Sequence, residues 1–159
     1  MKVKLREQSI TVQAPKRLVF ETLSSFADGG GSPAGVERAR LLERNDDRLL
    51  MGFHSRDGRK MYRTLEEVVP YPHDRIAFRH LKDLLYHSQE QFDFTDISDT
   101  SGETRLTHTG EIECRMHRLP GAGWLVARFY VKRRYERLVL RHMYDLRERA
   151  EAAVGTSRN

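Results

Sequence analysis

The stretch from Pro120 to Val154 constrains the chain most. It has no proline after Pro120 and no glycine between Gly123 and Gly155. Trp124, Ala127, Val131, Tyr135, Leu138, His142 and Leu146 recur within it at spacings of three or four, the period of one helix face. Val139, Met143, Ala150 and Val154 widen that stripe, and Lys132, Arg133, Glu136, Arg137, Arg141, Arg147 and Glu148 fall on the far side. At 1.5 Å per residue, its roughly 35 residues would make a helix roughly 50 Å long. So long an apolar stripe needs a broad partner, and the rest of the chain offers only β-strands to supply one.

Those strands follow from the alternation of side chains. Val3 to Gln13 reads as a strand whose apolar phase changes partway, which a bulge near Glu7 to Ser9 reconciles. Ala14-Pro15 opens a short helix with Leu18, Val19, Phe20, Leu23 and Phe26 on its apolar face. Gly29-Gly30-Gly31-Ser32-Pro33 reads as a loop, and it lacks the lysine and Ser/Thr of a phosphate loop. A meander follows: Val36 to Arg44, Arg48 to Ser55, Lys60 to Val69, Arg75 to Leu81, Leu85 to Ile97 and Glu103 to Met116. Asp57-Gly58 is a strong hairpin signal, and the polar SDTSG turn joins the last two strands. Short connections imply antiparallel neighbours. The expected architecture is α+β, a curved antiparallel sheet of about seven strands wrapped around the last helix, with a short helical segment after the first strand. Residues 1–155 are expected to form one domain, and 156–159 a disordered tail.

Composition narrows the class. The formal charge of +5 comes from 28 basic and 23 acidic residues, much of the excess on the outer face of the last helix. No aromatic and basic residues interleave on a strand as a nucleic-acid platform requires, so no nucleic-acid partner is expected. No apolar run is long enough for stable membrane insertion, and no signal peptide is visible, so a cytoplasmic location is expected. A single cysteine, Cys114, excludes an internal disulfide and a cysteine zinc site, and no metal or cofactor motif stands out.

Several phrases resemble a known family. Ile10-x-Val12-x-Ala14-Pro15-x-x-x-Val19-Phe20 resembles the first strand and helix of the START / polyketide cyclase (SRPBCC) superfamily. Pro72-x-x-Arg75-Ile76-Ala77-Phe78-Arg79 is similar to its mid-sheet strand, and Phe92-x-Phe94 with Thr104-Arg105-Leu106-Thr107 to its last hairpin. Leu146-x-x-Arg149-Ala150-Glu151 is similar to the end of its helix. The resemblance implies a helix-grip fold with a cavity for a small hydrophobic molecule. Its members include lipid carriers, hormone receptors and aromatase/cyclases, so fold does not fix function.

Strand parity proposes the lining of that cavity. Met51, Phe53, Phe78, His80, Tyr86, Phe92, Gly110 and Ile112 fall on inward phases, with Trp124, Val131 and Tyr135 from the helix. In Lys60 to Val69 the phase of Met61 and Leu65 adds Arg63 and Glu67, while the other phase holds Tyr62, Thr64 and Val68. Cys114 falls opposite Tyr86 as a small buried hydrophobe. A turn centred near residue 100 sets Phe92 opposite His108 and Glu90 opposite Gly110, with Gly110 leaving space beside Glu90. Glu90 and His108 are then diagonal neighbours and candidates for acid/base catalysis, the carboxyl raised in pKa by burial and pulled back by a charged imidazole. Two functions are expected: binding of a lipid, polyketide or related metabolite, or a polyketide cyclase/dehydratase-like reaction using Glu90 and His108. A homodimer is compatible with either.

Overall fold

The first strand breaks where its apolar phase changes. β1 (Val3–Lys4) and β2 (Gln8–Val12) both pair antiparallel with one later strand, Val3 opposite Ile112 and Ile10 opposite Leu106. The break lies at Leu5 to Glu7, two residues ahead of the expected bulge. The computed structural model describes residues 2–28, 36–57, 60–82, 85–97, 102–114 and 127–156. The Gly29–Gly31 loop, Gly58, Trp124 and most of the SDTSG turn lie outside the described residues, as do the side chains of Tyr86 and Cys114.

Pro15 adopts extended backbone at φ −60° and ψ 144°, and its carbonyl accepts the first helical hydrogen bond from Val19 N–H at 3.1 Å. α1 (Lys16–Ser24) thus starts where the proline ring pre-sets φ. It buries Val19, Phe20 and Leu23, and a short 3₁₀ turn, Ser25–Asp28, carries Phe26 into the core.

Six long strands follow: β3 (Val36–Asn45), β4 (Arg48–Asp57), β5 (Lys60–Tyr71), β6 (Arg75–Lys82), β7 (Leu85–Asp96) and β8 (Thr104–Cys114). The sheet has 8 strands in the order β1-β8-β7-β6-β5-β4-β3, with β2 also on β8. The early strand expected as one is therefore two. Asp57 pairs with Lys60 across a two-residue connection, and Phe92 faces His108 as Glu90 faces Gly110. A register shift between Leu85 and His87 puts Leu85, rather than Tyr86, opposite Cys114.

The sheet curves around α2 (Lys132–Thr156), a 25-residue helix entered through a π turn at Ala127–Val131. Its end at Thr156 runs one residue into the expected tail. Val139, Met143, Leu146 and Ala150 are its buried residues, packed with Met51, Phe53, Val68, Ile76, Phe94 and Leu106 in the main core. Leu138 corrects the expected stripe, being 41 % exposed. At 100° per residue it lies about 100° from the centre of the stripe that Tyr135, Val139, Met143, Leu146 and Ala150 define. A three-residue step falls about 60° short of a full turn, so Leu138 fits the spacing from Tyr135 yet leaves the buried face.

The helix also completes the hydrogen bonding of the broken strand. Glu136 Oε1 accepts Arg6 N–H at 2.6 Å, Gln8 Nε2 donates to the Glu136 carbonyl at 2.9 Å, and Glu151 Oε1 accepts Gln13 N–H at 2.8 Å. Backbone donors that leave the ladder at either end of β2 thus find partners on α2. Thr104 Oγ1, fully buried, donates to the Ala14 carbonyl at 2.7 Å.

Candidate functional site

The inward phase of the sheet carries a polar band set in apolar surroundings. The ladder pairs Phe53 with Thr64 and Met51 with Glu66, then Glu66 with His80, His80 with Ser88, and Glu90 with Gly110. Thr64, Glu66, His80, Ser88, Glu90 and His108 therefore share the concave face with Met51, Phe53, Phe78, Phe92 and Ile112. Arg63 corrects the expectation for β5: it pairs with His54 on the opposite phase and is exposed. Glu67 lies on that outer phase too, in ion pairs with Arg48 at 3.4 Å and Arg79 at 3.3 Å.

Glu90 is the centre of the band. Tyr135 Oη, on the inward face of α2, donates to its Oε1 at 2.6 Å. Ser88 Oγ donates to the same oxygen at 2.5 Å, and His108 Nε2 lies 3.0 Å from Oε2. Its side chain is 9 % exposed and that of His108 1 %. Burial presses the Glu90 pKa up, but the contacts with His108, Ser88 and Tyr135 outweigh it and hold the carboxyl below its ordinary range. The expected raised value is thus overturned: one cation-capable neighbour was foreseen, and three donors are present. Burial and the adjacent Glu90 carboxylate push the Tyr135 hydroxyl well above its usual range, so it stays a donor. Glu90 ties β7, β8 and α2 together as an ionised acceptor.

Gly110 does not leave space there. A Cβ at that position would stand 2.7 Å from Glu90 Cγ and 2.8 Å from the Gln89 carbonyl oxygen. The glycine is what lets Glu90 lie flat against β8. Gly110→Ala should cost about 1–3 kcal/mol by overpacking. Thermal melting checks this, at about 2–4 °C per kcal/mol for a chain of this size. An unchanged midpoint would mean that Glu90 is not seated on residue 110.

Three ring nitrogens of the interior have no hydrogen-bond partner among the described residues: His80 Nε2, His108 Nδ1 and His142 Nε2. His80 belongs to the inward phase of β6, and its side chain is 5 % exposed. His142 sits on α2 two turns beyond Tyr135. Burial depresses its pKa from 6.5 to about 4, the Asp145 and Glu90 carboxylates opposing the shift and Arg141 and Arg149 adding to it. Buried unpaired nitrogens are uncommon unless water or a ligand meets them.

The apolar lining divides in two. Met51, Phe53, Phe78 and Phe92 pack with Phe26 and the main core, while Ile112 joins Val3 and Leu5, with Val131 against them. Tyr135 touches both groups, so the single space expected for all of them is two clusters bridged by Tyr135. Phe92 packs on His108 at 4.9 Å between centroids with the rings tilted by 50°, and meets Phe78 edge-on at 6.0 Å. Elsewhere a groove of about 430 Å³ lies on the outward phase of the sheet, lined by Glu67, Arg79, Gln89, Gln91 and Thr109. Its lining is mostly polar, unlike the usual small-molecule site. His87 is on the outward phase with Glu111 at 2.9 Å, and no cluster of three metal-ligating groups occurs among the described residues.

Ser88 lies two residues from Glu90 on the same face of β7, where strand alternation alone puts it. Glu66 was missed and Thr64 stood on the phase left as the alternative, although the two-residue Asp57–Lys60 connection carries the signal. It fixes Met51 opposite Glu66, and Met51 faces inward.

No protein-family model matches the chain, and no curated protein matches it. Solved structures do. The Zhui aromatase/cyclase from Streptomyces sp. R1128 superposes with a TM-score of 0.81 at 21 % identity, over 97 % of this chain and 96 % of that one. The di-domain ARO/CYC StfQ of the steffimycin biosynthetic pathway gives 0.78 at 19 %, over 98 % of this chain and 53 % of that one. A START superfamily protein from Mycobacterium smegmatis gives 0.67 at 14 %, over 97 % and 99 %. The chain has a helix-grip fold, the fold that it shares with these structures. No helix among the described residues is long and apolar enough to cross a membrane.

Proposed function

We propose that the chain binds a small hydrophobic molecule, a lipid, polyketide or related metabolite, between the concave face of the sheet and α2. The observation that supports it is the set of buried, unpartnered imidazole nitrogens amid Phe78, Phe92 and Ile112. A mostly apolar lining with a few convergent polar groups suits such a ligand. Glu90 is fully occupied by its donors, so it orients its neighbours and is a weak base. Saturable binding of 1-anilinonaphthalene-8-sulfonate, followed by fluorescence and displaced by whatever molecule native mass spectrometry finds on the purified protein, is the expected result. No dye binding by the folded protein would rule the proposal out.

One geometry favours a second function, a cyclase- or dehydratase-like reaction. With Nε2 of His108 directed at Glu90, its Nδ1 carries no partner among the described residues and could take a proton from an enolisable ligand. His108→Gln separates the two. A carrier keeps its affinity for the retained molecule within a few fold. An enzyme loses turnover by about 100-fold or more while binding persists.

A further inference from the structure

Resting on the ligand-binding proposal, we infer that His80, backed by Glu66, is a second polar station of the site, and that the ligand is an elongated molecule with an oxygen function at each end. His80 repeats in outline what His108 does. Its Nδ1 lies 3.8 Å from Glu66 Oε1, longer than a hydrogen bond. Thr64 Oγ1 donates to the same Glu66 oxygen at 3.0 Å and steadies it. The other ring nitrogen, Nε2, is buried without a partner among the described residues. Each imidazole thus has a carboxylate on one side, bonded to His108 and merely near His80, and a nitrogen left open on the other that the neighbouring groups of the band do not use.

The two stations are joined by an aromatic track. Phe78 is two residues from His80 on the same face of β6, Phe78 meets Phe92 at 6.0 Å, and Phe92 meets His108 at 4.9 Å between centroids. His80 pairs with Ser88, and Ser88 with Ile112, four positions from His108 on β8. The backbones are therefore about 10 Å apart across two strands and about 13 Å along them. A molecule with one polar end, such as a simple fatty acid, would satisfy one imidazole and leave the other desolvated and unpaired. A molecule with two separated hydroxyl or carbonyl groups satisfies both, its apolar body lying along Phe78 and Phe92.

The test compares trans-4-hydroxystilbene with trans-4,4′-dihydroxystilbene by isothermal titration. The protein should bind the dihydroxy probe about five- to tenfold more tightly, the worth of one added hydrogen bond to a buried group. His80→Phe should abolish that preference, bringing the two probes to within about twofold of each other. His80→Gln, which keeps an amide donor and acceptor, should restore part of it. Should His80→Phe fail to fold, Glu66→Gln should weaken the dihydroxy probe alone. Equal affinity of the unaltered protein for both probes overturns the second station but leaves ligand binding standing, as does a preference that survives His80→Phe. Failure of the folded protein to bind either stilbene or the naphthalene dye overturns both.

Discussion

Leu146→Asp should unfold the domain, and Leu138→Asp should not. Leu146 is 1 % exposed and lies on the α2 face that packs into the main core, whereas Leu138 is 41 % exposed. An aspartate at 146 would lose the leucine's burial and place a carboxylate in the main hydrophobic core. A buried unpaired charge costs several kcal/mol, which approaches the whole stability of a domain with about 5–15 kcal/mol. At 138 the carboxylate would stay in water beside Arg141 and Arg137, and surface changes of that kind stay within about 0.5 kcal/mol. Urea unfolding followed by far-ultraviolet dichroism reads both. The assigned helix face would be wrong if Leu146→Asp melted with the parent, or if Leu138→Asp were the variant that unfolded.

The contrast between these leucines marks where a sequence stops being legible. Apolar residues at three- and four-residue spacings identify a helix and its length, but its rotation depends on the first well-placed turn. Leu138 fits the spacing three residues after Tyr135, yet it falls beyond the edge of the stripe on the side away from Val139 and Met143, which stay on it. The final hairpin was legible because its strands alternate strongly on either side of a polar turn. The pairing of Phe92 with His108 and Glu90 with Gly110 follows from that alternation and a turn centred near residue 100. β5 was ambiguous because both of its phases mix apolar and charged residues. Only the pairing with β4 resolves it, burying Val68, bringing Glu66 inward and sending Arg63 out. The state of Glu90 needed more still, since its donors come from three elements and Tyr135 reaches it across 45 positions of sequence.

Acid should destabilise the protein through His142 before it does so through Glu90. His142 keeps a pKa of about 4 in the folded chain against 6.5 as its ordinary value, chiefly because burial disfavours the imidazolium. Above pH 6.5 the ring is neutral in both folded and unfolded chains and contributes no pH dependence. Between pH 6.5 and about 4 the unfolded chain takes up a proton that the folded chain refuses, so stability falls as pH falls. At 1.36 kcal/mol per pKa unit, that window amounts to about 3 kcal/mol. Glu90 acts lower. Its folded pKa lies below 4.5, so its contribution is complete above that value and is lost as pH falls through the folded value, when the acceptor for Tyr135 and His108 is protonated. His142→Gln removes the first effect and leaves the second. Urea unfolding of parent and variant between pH 7.5 and 4 should show the parent losing about 3 kcal/mol more than the variant, the other titrating groups being common to both. Parallel profiles would mean that His142 accepts a proton within the fold, and that its ring is open to water instead of enclosed between α2 and the sheet.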